Sequence, residues 1–165
     1  MDRRDSMIHF FKYNWQVRDE WMDRCSQLSD EILMEKRTGG PGSILYTLFH
    51  IIDVEQSWIR SIRGKEDIVY NFEDHNSLEK VKELSDRLRK EVADHLDVEL
   101  KETEDRIVSV PWDEEEFTRI EILHHVIAHE LHHMGQLSIW AREMDMEPVT
   151  ANFIRRNLMS TDNQM

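Results

Sequence analysis

The sequence predicts an all-α fold: an antiparallel four-helix bundle with long loops and a short C-terminal helical tail. Two observations carry the prediction. The five glycines and three prolines sit mostly at a few breaks: the Gly39, Gly40, Pro41, Gly42 cluster, then Gly64, Pro111 and Pro148. Between the breaks lie four long stretches whose apolar residues recur every three or four positions, the spacing of one helix face. Only Arg106 to Trp112 reads as extended chain.

The first helix is expected from about Met7 to Leu33, with Asp5 or Ser6 as N-cap. Its apolar series is Ile8, Phe11, Trp15, Met22, Cys25, Leu28 and Ile32, broken once by Arg18. The second runs from Ile44 to Arg63, with Ser43 capping its start and Gly64 its end. Leu45, Leu48, Ile52, Ile59 and Ile62 form its inner stripe, with Ile44, Ile51 and Glu55 alongside. The third starts after Ser77, and Leu78, Val81, Leu84, Leu88, Val92 and Leu96 face inward against a charged outer face. Ile107, Val108 and Val110 are β-branched and Pro111 cannot sit in mid-helix, so this segment is extended and can form a small hairpin with Phe117. Thr118 and Glu121 make a capping box for the fourth helix, which reaches about Met144. Phe153, Ile154 and Leu158 suggest a last short helix packed on the bundle, with a frayed end from about 160.

The composition narrows the function classes. The 165 residues fit a single domain spanning 1–165, and the net charge is −13. That field repels nucleic acid and anionic membrane, so neither is expected as a partner. One cysteine, Cys25, excludes an intrachain disulfide and a CxxC metal site, and fits a reducing cytoplasm. No run of about 18 apolar residues predicts a transmembrane helix, and the N-terminus has no signal-peptide core.

Five of the nine histidines fall in one ten-residue window: His124, His125, His129, His132 and His133. At 100° per residue, with His129 at zero, His133 lies at about +40° and His125 at about −40°. Ile122 and Trp140 fall near +20° and Val126 near +60°. His129 and His133 therefore border the apolar face, His132 lies on the polar flank and His124 is exposed. An inward i,i+4 pair places two imidazoles where one first-row metal can bridge them. His50, on the flank of the second helix's stripe near Val54 and Trp58, is the candidate third ligand, since ligands in bundles converge from facing helices. A histidine cluster without consequence is the competing reading. Burying three unpartnered imidazoles is costly, and a metal removes that cost.

His129-Glu130-Leu131-His132-His133 also matches H-E-x-x-H, in which the glutamate is a general base beside a zinc-bound water. The extended protease form needs Gly and His where Gln136 and Ile139 stand, and the chain offers little strand on which to lay a peptide. Glu130 falls on the inner arc and is retained as the catalytic candidate, a base or a partner of the ligands. Trp58 and Trp140 are candidate pocket walls. Tyr13 and Asn14 are either polar guests in the bundle or surface, and Cys25 reads as inert packing.

Phe11-Lys12-Tyr13-Asn14-Trp15, Leu48 to Glu55 around His50, His125 to Leu137, and Met146 to Leu158 together resemble the DinB family of bacterial proteins. That family shares a fold with bacillithiol- and mycothiol-dependent transferases. The resemblance implies a divalent metal, nickel or zinc, held by His50, His129 and His133, and a homodimer. It also implies, for some members, transfer of a low-molecular-weight thiol to an electrophile or its use in isomerisation. The expected function is a thiol-dependent S-transferase-like enzyme of unknown substrate. Two alternatives stay open: a metal-stabilised stress or binding module without turnover, and a metal-dependent hydrolase.

Overall fold

The computed structural model describes residues 3–159, and the side chains of residues 7–159. Five α-helices dominate: α1 Arg3–Cys25, α2 Asp30–Met34, α3 Ile44–Ile62, α4 Leu78–Glu99 and α5 Arg119–Glu143. A two-stranded antiparallel hairpin, β1 Ile107–Ser109 and β2 Glu116–Thr118, pairs Val108 with Phe117 as the β-branched segment suggested. The fold is the expected four-helix bundle, made of α1, α3, α4 and α5.

Local chemistry explains most boundaries. Ser43 and Ser77 stand in extended conformation and accept from the amides of Tyr46 and Lys80. Thr118 and Glu121 close both halves of the predicted capping box. The first helix departs from expectation. It starts at Arg3, so Asp5 and Ser6 lie within it, and it stops at Cys25. Ser29 then caps α2 by accepting from Ile32, which gives the chain a competing start signal inside a still periodic stretch. The expected C-terminal helix does not form among the described residues: 147–159 run as irregular chain with turns near its end, and Arg155 and Asn157 have positive φ. Leu158 is nonetheless buried, and Phe153 stacks on Tyr13 with ring centroids 5.4 Å apart. The frayed end from 160 lies outside the described residues.

The helices do not simply alternate in direction. Phe72, in the 3-10 turn Phe72–His75, packs against Tyr46 and Phe49, so residues 63–77 return the chain to the start of α3. α4 then runs beside α3 in the same direction, and Arg63 at the end of α3 meets Glu99 at the end of α4. Contacts of Asp19 with Arg89 and of Asp23 with Lys82 run α4 antiparallel to α1. Asn14 with Ile127 and Arg18 with Glu130 run α5 parallel to α1. Loops long enough to cross the bundle end permit this up-down-down-up order, which helical periodicity does not encode.

The core is split in two. One apolar cluster gathers Trp21, Met22, Leu45, Leu48, Ile52, Leu84, Leu137 and Trp140. The other gathers Phe11, Ile59, Leu96, Val108, Ile122 and Val126. Between Ile52 and Ile59 on α3 comes buried Glu55, and between Ile127 and Met134 on α5 comes buried Glu130. Arg18, with no exposed surface, binds both.

Candidate metal centre

α3 and α5 run antiparallel past each other, which brings His50 opposite the 129–133 turn. His129 and His133 share a face because they are four residues apart. The Nε2 atoms of His129 and His50 are 3.0 Å apart, and those of His133 and His129 are 3.1 Å apart. The ligand nitrogens of the three residues all lie within 4.8 Å of one another. This candidate three-histidine site unites the three metal residues expected from the sequence. His133 is buried and the other two are partly buried. His124 and His132 are exposed, as the helical wheel placed them.

The arrangement fits a divalent ion. Nitrogens about 2.0–2.1 Å from a tetrahedral ion lie roughly 3.3 Å from one another, close to the spacing here. Three neutral imidazoles cannot satisfy each other, because the contacts meeting at His129 Nε2 cannot both be ideal N–H···N bonds. Their charge state suits coordination. Burial, reinforced by neighbouring His133 and His50, pushes His129 down to about 3. Burial lowers His50, with His133 adding to it. Burial also lowers His133, against the hydrogen bond to Gln136. All three are neutral at physiological pH, the form that offers a lone pair.

Glu130 is placed differently from what its motif suggests. It is buried, and its two oxygens accept from Arg18 Nε at 2.8 Å and Nη2 at 2.6 Å. Glu55 accepts from Arg18 Nη1 at 3.0 Å and from Trp15 Nε1 at 2.9 Å. Burial raises the Glu130 carboxyl while Arg18 opposes the shift. The triad ties α1 to the two helices that carry the histidines. Arg18 was legible as a break in an apolar series; its two partners, far away in sequence, were not.

The surroundings correct one expectation and add others. Trp140 is 2% exposed, and its Nε1 donates to Thr38 O, so it is a core ring and not a pocket wall. Trp58 does stand near the site: its ring is 5.2 Å from that of His125, which is 5.8 Å from that of His129. Trp112 and Phe117 meet Trp58 edge-on at 5.2 and 5.6 Å, extending the aromatic surface to the hairpin. Tyr46 stacks against His50 on the other flank. Tyr13 and Asn14 are buried polar guests, bonding to Ala151 O and Ile127 O. Burial pushes the Cys25 thiol up to about 12, which fits inert packing.

Known proteins share the fold. The DinB family model matches residues 1–164. An uncharacterized protein of Bacillus subtilis (strain 168), YizA, is 57% identical over 153 residues, covering 92% of this chain and 96% of that one. The crystal structure of a DinB-like protein from Bacillus cereus ATCC 10987 shares the fold, with a TM-score of 0.68 at 16% identity, over 88% of this chain and 95% of that one. This chain belongs to the DinB family.

Proposed function

We propose that the protein binds one divalent metal ion, nickel or zinc, through His50, His129 and His133, and uses it in thiol-dependent S-transfer to a small electrophile. The convergence of three Nε2 atoms from two helices carries the reading. A divalent ion held there would supply a Lewis acid that favours the ionised form of a thiol. In the reaction class, a sulfur–carbon bond forms, the thiol proton is released and the leaving group departs with its bonding pair.

The chain's own residues supply the rest. Neutral ligands leave the ion's positive charge undiminished, which favours an anionic sulfur. The cluster of edge-to-face rings formed by His125, Trp58, Trp112 and Phe117 offers an aromatic flank for the electrophile beside His129. Glu130 adjoins His129 in sequence, but with both oxygens held by Arg18 it serves this reading as an anchor of α5. The Arg18 charge beside it opposes protonation of that carboxylate. The reading includes a cytoplasmic location and a homodimer, and sedimentation equilibrium tests the dimer. No helix among the described residues is long and apolar enough to cross a membrane.

A second reading, a metal-stabilised module without turnover, draws support from the same Glu130: the one carboxylate in the motif is committed to an ion pair. Two measurements separate the readings. Elemental mass spectrometry of untagged protein should find about one equivalent of metal, lost in His50→Ala. Consumption of a low-molecular-weight thiol with model electrophiles should require the metal-loaded protein. Metal without thiol consumption supports the module, and no metal uptake after adding zinc or nickel rejects both.

A further inference from the structure

Gln136 lies one turn after His133, and its amide bridges two histidines. Its Oε1 is 2.7 Å from His133 Nδ1, and its Nε2 is 3.1 Å from His132 Nε2. An amide oxygen only accepts, so the His133 contact is a hydrogen bond when the proton sits on Nδ1. In that tautomer Nε2 carries the lone pair, and Nε2 is the atom 3.1 Å from His129 Nε2. The other tautomer puts a proton on Nε2, pointing into the histidine cluster, and leaves two acceptors facing each other at Nδ1. With the amide reversed, its NH₂ would instead select that second tautomer. The orientation of one amide therefore decides whether His133 can be a ligand.

The loop before α3 presses on this amide. A Cβ on Gly40 would overlap Gln136 Oε1 and lie 2.9 Å from Cδ and 3.2 Å from Trp140 Cη2. Thr38 O accepts from Trp140 Nε1 at 3.1 Å, which ties the same loop to α5. Only a residue without a side chain lets the backbone come this close, and Gly40 also has φ +54°.

We propose that Gln136 is a positioning residue for the metal centre, holding His133 in the Nδ1–H tautomer, and that the close approach of Gly40 keeps the Gln136 amide in place. The proposal rests on the three-histidine reading above. Fixing a ligand's tautomer through its second ring nitrogen typically affects metal affinity 10–100-fold.

The first test needs no metal. In ¹⁵N-labelled, metal-stripped protein, two-bond ¹H–¹⁵N correlations at neutral pH should show His133 as the Nδ1–H form. Gln136→Ala should yield a mixture, and Gln136→Glu, which keeps an acceptor at that place, should restore the single form. The second test measures Zn(II) affinity by competition with a chromophoric chelator. Gln136→Ala should weaken binding by about 10–100-fold, and Gln136→Glu by much less. Gly40→Ala should weaken it more than Gly39→Ala. Gly39 also has positive φ, but an added Cβ there meets nothing within 4 Å, so it controls for backbone strain. An unchanged His133 tautomer in Gln136→Ala, or an unchanged Zn(II) affinity, overturns the proposal. Wild-type protein that takes up no Zn(II) overturns the metal reading itself, and the NMR result then still decides whether Gln136 sets the tautomer.

Discussion

Arg18 donates to both oxygens of Glu130, at 2.8 and 2.6 Å, across the interface between α1 and α5 with neither side chain appreciably exposed. Its third contact, to Glu55, brings in α3. One guanidinium thus braces the helices that carry His50 and His129 against a third helix. Removing it strands two carboxylates in a dry interior, the costly way to break a buried pair. Arg18→Met should lower the unfolding free energy by about 3–5 kcal/mol, read by guanidinium titration of the metal-free protein. Glu130→Gln keeps an acceptor and removes a surplus negative charge, so its loss should be clearly smaller. Equal stability of Arg18→Met and wild type would refute the bracing role.

Glu130→Gln also separates anchoring from acid–base work. The amide still accepts one Arg18 N–H, so α5 stays in register and metal content should remain at one equivalent. If thiol consumption is detected in the wild type, an anchoring role predicts that the variant keeps most of it. A loss of several orders of magnitude with metal and fold intact would make Glu130 the proton-transfer group that its motif suggests.

Metal binding to the folded state alone stabilises it. Saturating Zn(II) at 100 times the Kd should add about 2.7 kcal/mol, seen as a rise in Tm in differential scanning calorimetry. His129→Ala removes the nitrogen that lies between the other two, so the rise should vanish. A rise of the same size in His129→Ala would place the ion elsewhere.

What was legible in the sequence was mostly local. Ser43, Ser77 and Thr118 signal helix starts because their side chains accept from amides three residues on. The histidine trio was legible because i,i+4 spacing fixes two of its members on one face and the apolar stripe orients the third. Less local features were hidden. Leu28 and Ile32 continue the apolar period across the Cys25–Ser29 break, so periodicity alone reads one helix where there are two. Helix direction depends on where residues 63–77 travel, which no periodicity records. Glu130 has the same inward position whether it faces the histidines or Arg18; only α1, 112 residues away in sequence, decides. The tail from Met146 is apolar enough to pack, yet the backbone of Ala151 accepts from Tyr13 Oη in an irregular segment and not in a helix.

Thr118 caps α5 through the Glu121 amide, and Glu121 returns a bond to the Thr118 amide at 2.8 Å. Thr118→Ala removes one half of this exchange at the end of the helix remote from His133. The expected loss is about 1 kcal/mol, with metal stoichiometry unchanged. Chemical denaturation and metal analysis of the same sample check both parts.

Acid should weaken the metal-free protein through its histidines. The His129 imidazole sits at about 3 in the fold, against an ordinary value of 6.5, chiefly because of burial. His50 and His133 are lowered for the same main reason. Between about 3 and 6.5 the unfolded chain binds a proton at His129 that the folded chain does not, and His50 and His133 act in the same direction below 6.5, so the unfolding free energy rises with pH there. The stability tied to neutral histidines is complete above the ordinary value and is lost as pH falls below it. Replacing His129 with Gln removes the group that titrates furthest from its usual range. The stability difference, wild type minus His129→Gln, should be flat above pH 7.5 and should move against the wild type between pH 6.5 and 5, measured by urea titration with chelator present. A difference that stays constant across that range would mean that His129 takes up its proton in the fold as readily as in the open chain.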